Sequence, residues 1–171
     1  MAEPLADRIV QQIAHVNENY YQLVVVAGPS GTGKTDALHE VHVRTGVPLI
    51  NVNLELSRRM LDLTERQRTL RLPRLLEEIA GEVDGTMVLL DNIEILFDVA
   101  LKQDPLRLLQ NLSRNKTLVV AWNGFASGGQ ITYAAPDHPE YRKYAIRDFL
   151  VVSPDVSSGQ QENPGQFAAT K

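Results

Sequence analysis

The stretch Gly28-Pro29-Ser30-Gly31-Thr32-Gly33-Lys34-Thr35 constrains this chain more than any other. It fits G-x-x-x-x-G-K-[ST] at every fixed position, with the apolar run Leu23-Val24-Val25-Val26-Ala27 before it and a helix-compatible stretch from Lys34 onward. Strand, glycine-rich turn and helix in that order make a cradle for phosphate. Gly28, Gly31 and Gly33 carry no Cβ, so the backbone can turn its N–H groups onto an anion, and the positive end of the following helix points at the same place. In such a loop Lys34 reaches the β- and γ-phosphates of a nucleoside triphosphate and the Thr35 hydroxyl ligates Mg2+. Pro29, Ser30 and Thr32 complete the cradle.

Composition narrows the setting. The chain has 171 residues and 43% hydrophobic content, enough for one sizeable core and too little for two ordinary domains. A net charge of −4 gives no general attraction to nucleic acid or an anionic membrane. With no cysteine, disulfides and thiolate metal sites are excluded. The N-terminal residues include Glu3 and Asp7 and lack an apolar signal core, and no apolar run approaches membrane-spanning length. The expectation is a cytoplasmic protein with no membrane contact, built as one nucleotide-binding domain over residues 1–152 and a flexible polar tail over 153–171.

Along the chain, Leu5, Ile9, Ile13 and Val16 recur at helical spacing and predict an amphipathic helix before the first strand. Tyr20 and Tyr21 precede that strand, where an aromatic face could lie against adenine; packing is the commoner use. The helix after the loop should stop near Gly46, and Val47 to Asn53 reads as a second strand. His39 and His42 share a helix face but lack a further ligand to complete a metal site. Thr64-Glu65-Arg66-Gln67 resembles a capping box that starts another helix, which Pro73 should break or restart. Arg58, Arg59, Arg66, Arg68, Arg71 and Arg74 fall in this region. They suit a DNA or RNA backbone or an acidic partner, or else a solvated surface neutralised by Asp62, Glu65, Glu77 and Glu78. The interleaved acids and the absence of accompanying aromatics favour the second reading.

Thr86-Met87-Val88-Leu89-Leu90-Asp91 reads as a buried parallel strand delivering a carboxylate to the edge of the sheet beside the phosphate loop. Asp91 would then support the Mg2+ shell with Thr35. Many ATPases place a glutamate next, to activate the attacking water; here Asn92 follows, an amide that positions water but accepts no proton. Glu94 is the nearest candidate base, its alternative being a surface or capping residue at the start of a helix over Ile95 to Leu101. Asp104-Pro105 opens a further helix. Lys116 to Trp122 predicts the next strand, and Asn123 at its end reads as a turn residue in Asn-Gly or, by resemblance to the ATPase division that inserts a strand between the two phosphate-site strands, as the polar residue that senses the γ-phosphate. Gly124 to Gln130 reads as a flexible loop, Ile131 to Ala135 as a short strand, Pro136 to Tyr144 as exposed polar chain, and Phe149 to Val152 as the last strand. Arg114, Arg142 and Arg147 are candidates for an arginine that acts on a neighbouring subunit's nucleotide, with Arg142 ranked first because it precedes the last strand.

The motifs from Leu23 to Val152 resemble those of AAA+ and STAND-type ATPases of the additional-strand division. The combination of a minimal core with Leu90-Asp91-Asn92-Ile93-Glu94, Trp122-Asn123-Gly124 and the segment Tyr133 to Tyr144 is similar to the small P-loop protein of type 3 BREX phage-defence systems, the BrxF family. The resemblance implies an α/β/α sandwich around a mainly parallel five-stranded sheet without a C-terminal helical lid. It further implies ATP and Mg2+ as ligands, a homo-oligomer, and other BREX proteins as partners, while two departures from the general AAA+ pattern, Asn92 and the missing lid, lead to the expectation of slow or assembly-dependent hydrolysis. Two alternatives stand beside it: a nucleotide-gated binding module with little turnover, favoured by Asn92, and a small-molecule or nucleoside kinase, for which no arginine-rich lid or acceptor-binding aspartate is evident.

Overall fold

Strands that are apolar without alternation need cover on both faces, and here they receive it. In the computed structural model, which describes residues 3–154, the chain runs α1 (Leu5–His15), β1 (Leu23–Gly28), α2 (Lys34–Thr45), β2 (Leu49–Asn51), α3 (Val52–Arg59), α4 (Glu65–Gly81), β3 (Met87–Asp91), α5 (Pro105–Leu112), β4 (Thr117–Ser127), β5 (Gln130–Tyr133), β6 (Arg142–Ala145) and β7 (Leu150–Val152). Five strands pair in parallel in the order β2-β3-β4-β1-β7. β4 therefore lies between the strand that feeds the phosphate loop and the strand that ends in Asp91, the inserted-strand order expected from the motifs.

The alternation of side chains along β1 divides the core. Leu23, Val25 and Ala27 join Leu56, Leu72, Leu76 and Leu109, from α3, α4 and α5, on one face. Val24 and Val26 join Ala6, Ile9, Leu38 and Val41, from α1 and α2, on the other. The result is an α/β/α sandwich of the P-loop NTPase type. Full burial of a leucine such as Leu72 or Leu76 contributes roughly 1.5–3 kcal/mol.

Local signals set several helix ends. Gly46 takes φ 77° after α2, a left-handed turn that costs glycine little. The capping box forms at α4, with Thr64 Oγ1 accepting from the Gln67 amide and the Gln67 side chain accepting from the Thr64 amide. Asp104 caps α5 ahead of Pro105. Lys116 Nζ donates to the carbonyls of Ala80 and Val83 at 2.8 and 2.7 Å, satisfying acceptors where α4 ends.

Elsewhere tertiary structure overrides the local signal. The second strand stops at Asn51, because the Asn51 side chain accepts from the Leu54 amide and caps α3 at once. Pro73 does not break α4. Its missing N–H leaves the Thr69 carbonyl without a helical donor, and Gln103 Nε2 takes that carbonyl at 2.8 Å. Residues 94–101 form two short 3-10 turns, Glu94–Phe97 and Val99–Leu101, instead of one helix. Asp98 separates them in extended conformation and caps the second through the Ala100 amide.

The largest departure follows Trp122. β4 continues to Ser127 and turns at Gly128 and Gly129, both with positive φ, into β5, so the segment expected as a flexible loop is a two-residue hairpin. Part of the segment expected as exposed coil is β6, antiparallel to β5. The parallel sheet thus carries a three-stranded antiparallel extension. Of the expected tail, only Ser153 and Pro154 lie among the described residues.

Candidate functional site

The phosphate loop spans from the last residue of β1 to the first turn of α2. Gly31 and Gly33 take φ of 84° and 90°, a region closed to most side chains. Gly28 serves differently: a Cβ there would sit 2.8 Å from Pro154 Cδ and 3.0 Å from Thr32 Oγ1, so the glycine permits close packing. The loop is internally bonded. Lys34 Nζ donates to the Gly28 and Pro29 carbonyls, each at 2.7 Å, and Thr32 Oγ1 donates to the Pro29 carbonyl at 2.7 Å. Lys34 is only 6% exposed, and burial pushes its pKa below the ordinary lysine value of 10.5, while the charges of Asp91 and Glu94 pull it back up.

A cleft of about 280 Å3 opens over this loop. Ser30, Gly31, Gly33, Lys34 and Thr35 line one side, and Asp91, Asn92, Glu94 and Asn123 line the other. Asp91 ends β3, is 7% exposed, and accepts from the Asn92 amide at 2.8 Å through Oδ1. Asn92 takes φ 54°, a left-handed conformation that asparagine tolerates. Past this turn Glu94 lines the cleft. Both of its oxygens are held: Asn123 Nδ2 donates to Oε2 at 2.7 Å and Asn53 Nδ2 donates to Oε1 at 3.2 Å.

Asn53 is a site residue that the sequence reading missed. It lies just past β2, which pairs with β3 so that Asn51 stands opposite Asp91. Its amide donates to the Asn92 carbonyl at 2.8 Å and its side-chain oxygen accepts from the Ile95 amide at 2.8 Å, so it braces the turn on both sides of Glu94. The only sequence signal was a polar residue at the end of the second apolar strand. Asp36, also missed, lines the cleft from the first turn of α2. Among the described residues that line the cleft, Lys34 is the sole cation, against Asp36, Asp91 and Glu94.

Other candidates fall elsewhere. Asn123 lies within β4 and not in a turn, with Gly124 paired to Tyr133 beyond it. Arg142 does not line the cleft; its Nη2 donates to the Gln103 carbonyl at 2.8 Å. Tyr20 and Tyr21 stand at the opposite end of β1 from the loop, roughly 17 Å of strand away. His42 Nδ1 lies 2.6 Å from the Val47 carbonyl. Much of the arginine-rich segment is taken up locally: Arg58 by Glu55, Arg59 by Glu82 and Glu55, Arg74 by Glu78, and Arg68 by the Met60 and Leu63 carbonyls.

The residues present suit a magnesium-bound triphosphate. Positive-φ glycines and the start of α2 are arranged for phosphate oxygens, while the Thr35 hydroxyl and Asp91 carboxylate supply hard oxygen ligands in the same cleft. Among the described residues, no three His, Asp or Glu side chains are grouped to hold a metal alone. No helix of the described residues is long and apolar enough to cross a membrane.

No protein-family model and no curated protein matches the chain. Among solved structures it is similar to a chain in the structure of Drosophila ORC bound to DNA, with TM-score 0.47 and 17% identity over 86% of this chain and 41% of that one. It is also similar to a chain in the structure of C. elegans PCH-2, with TM-score 0.37 and 20% identity over 72% of this chain and 35% of that one. The chain spans less than half the length of either, and the fold assignment rests on its own strand order and loop geometry.

Proposed function

We propose that this chain binds ATP with Mg2+ and hydrolyses it slowly or on assembly, using nucleotide state to control association with itself or with partners. The observation that carries the reading is the meeting of Lys34, Thr35, Asp91, Glu94 and Asn123 around one cleft from separate elements of the fold. Lys34 holds phosphate oxygens by exchanging its two loop carbonyls for them, and Thr35 with Asp91 holds the metal. The ion supplies charge neutralisation at the phosphates. Glu94, oriented by Asn123, accepts a proton from a water lying between it and the phosphate loop.

Electrostatics support dependence on assembly. The described side chains lining the cleft carry more negative charge than positive, and none is an arginine. A cation from another molecule completes charge compensation at the phosphates, as arginines supplied in trans do in related chemistry. Arg142, Arg147 and Arg114 are the candidates on this chain. A place beside other proteins of a type 3 BREX system rests on the motif resemblance at Leu90 to Glu94 and Trp122 to Gly124.

A second reading, a nucleotide-gated binding module with little turnover, is favoured by one observation: both Glu94 oxygens already accept amide hydrogens, so an attacking water must compete for them. Light scattering on a sizing column without nucleotide, with ADP and with a non-hydrolysable ATP analogue, together with phosphate release from ATP in parallel samples, separates the readings. Assembly with the analogue and turnover that climbs steeply with protein concentration support the first. A monomer in every state that binds ATP without turnover supports the second. A chain that binds no ATP overturns both.

A further inference from the structure

The short turn Glu94–Phe97 carries the candidate base at one end and an aromatic ring at the other. The aromatic end is held by the antiparallel extension of the sheet, and the Glu94 end by Asn123 where β4 leaves its parallel pairing with β1. Asn123 on β4 donates to Glu94 Oε2 at 2.7 Å, and the Tyr133 ring on β5 stacks on Phe97 with centroids 3.4 Å apart and planes 6° from parallel. Trp122 closes the cluster, meeting Phe97 and Tyr133 edge-on at 5.2 and 5.9 Å while its Nε1 donates to the Thr132 carbonyl at 2.9 Å. Gly124 lets β4 and β5 come this close, since a Cβ there would lie 1.7 Å from the Thr132 oxygen.

The extension is itself tied down. Arg142 donates to the Gln103 carbonyl and the Tyr144 hydroxyl donates to Asp104 Oδ1 at 2.9 Å, joining β6 to the start of α5. Tyr133 is 5% exposed, and burial raises its phenol pKa, with the charges of Glu94 and Glu140 adding to the effect. The ring is thus a buried anchor, stacked on Phe97 and met edge-on by Trp122.

We propose that Tyr133 is a positioning residue for Glu94: its stack on Phe97 fixes the far end of the Glu94–Phe97 turn while Asn123 and Asn53 hold the near end, so the antiparallel extension shares in setting where the carboxylate stands. This rests on the proposed nucleotide site for its effect on turnover, and on the geometry alone for its effect on the turn. The stack contributes nothing to phosphate binding, because the loop from Gly28 to Thr35 is bonded independently of it.

The test compares Tyr133→Leu, Tyr133→Phe and, from the other side of the stack, Phe97→Leu in the full chain. Hydrogen exchange is read at the amides of Leu96 and Asp98, which close the turn onto Ile93 and Ile95. Tyr133→Leu is expected to speed that exchange about 10-fold while leaving the amides of α2 unchanged. It is expected to lower single-turnover ATP hydrolysis about 10-fold or more with ATP affinity held within about 3-fold, the signature of a displaced group and not of a lost site. Phe97→Leu should reproduce both effects, and Tyr133→Phe, which keeps the ring, should match the parent protein. Emission from Trp122, the only tryptophan, verifies that the cluster has changed in each variant. Unaltered exchange in the folded leucine variants overturns the proposal, as does a Tyr133→Phe variant impaired as badly as Tyr133→Leu. If the parent chain binds no ATP, the nucleotide reading falls and the exchange measurement still decides whether Tyr133 places the turn.

Discussion

The two ends of the cleft are built in different ways. At the loop end the side-chain hydrogen bonds are local: Lys34 reaches back six and five positions to Gly28 and Pro29, and Thr32 reaches back three. At the carboxylate end Glu94 is held by residues 41 and 29 positions away, on elements that meet only when the sheet has formed. The first end needs a strand, a turn and a helix; the second needs the correct order of β2, β3 and β4. It follows that phosphate binding should tolerate damage to the sheet's edge and to its antiparallel extension, whereas proton transfer should not.

Removing Lys34 should give the largest effect. Lys34→Ala should weaken ATP binding about 100-fold in a calorimetric titration, the scale of a lost charge-assisted contact. Tight binding that survives would erase the asymmetry by removing the loop's role. Glu94→Gln should spare affinity and lower phosphate release about 100-fold if the carboxylate is the base. Unchanged release would assign Glu94 to structure. Asn53→Ala should have a smaller effect, about 10-fold on release with binding intact, since it removes one of two amides on Glu94 together with the brace at Ile95.

Two pH experiments are gentler, one at the loop end and one away from the cleft. The Lys34 ammonium binds phosphate only while protonated, and burial lowers its pKa from 10.5, so affinity should fall with rising pH sooner than an ordinary lysine would allow. A titration of ATP affinity on the alkaline side checks this. The smallest effect lies away from the cleft, at the exposed Arg59–Glu82 pair, where hydrogen bonding to Arg59 holds the Glu82 pKa below 4.5. A depressed carboxylate contributes stability above its unfolded pKa and loses it as pH falls through the folded value. Glu82→Gln should therefore lower Tm only slightly at neutral pH and not at all well below pH 4, as thermal melts would read.

The same contrast explains what could be read from the residues alone. The loop, the capping box and the Asp104-Pro105 helix start were legible because each signal sits within a few residues of its effect. The inserted-strand order followed from the motifs, and Asp91, Glu94 and Asn123 do meet in the cleft. Asn53 was not legible, because its partner depends on β2 pairing with β3. Asn123-Gly124 carries a turn signal, yet Gly124 is there for the approach of Thr132, and the turn comes at Gly128-Gly129. Pro73 locally signals a break or restart of the helix, and α4 continues through it because Gln103, distant in sequence, restores a donor to the Thr69 carbonyl.

The parallel sheet closes on each side with a strand of only three residues, β2 and β7. Strands so short offer a passing chain few open backbone groups to zip onto, which guards against runaway ribbon growth. Under the proposal that copies gather around a nucleotide, these two short edges favour meeting through side chains over continuation of the parallel sheet.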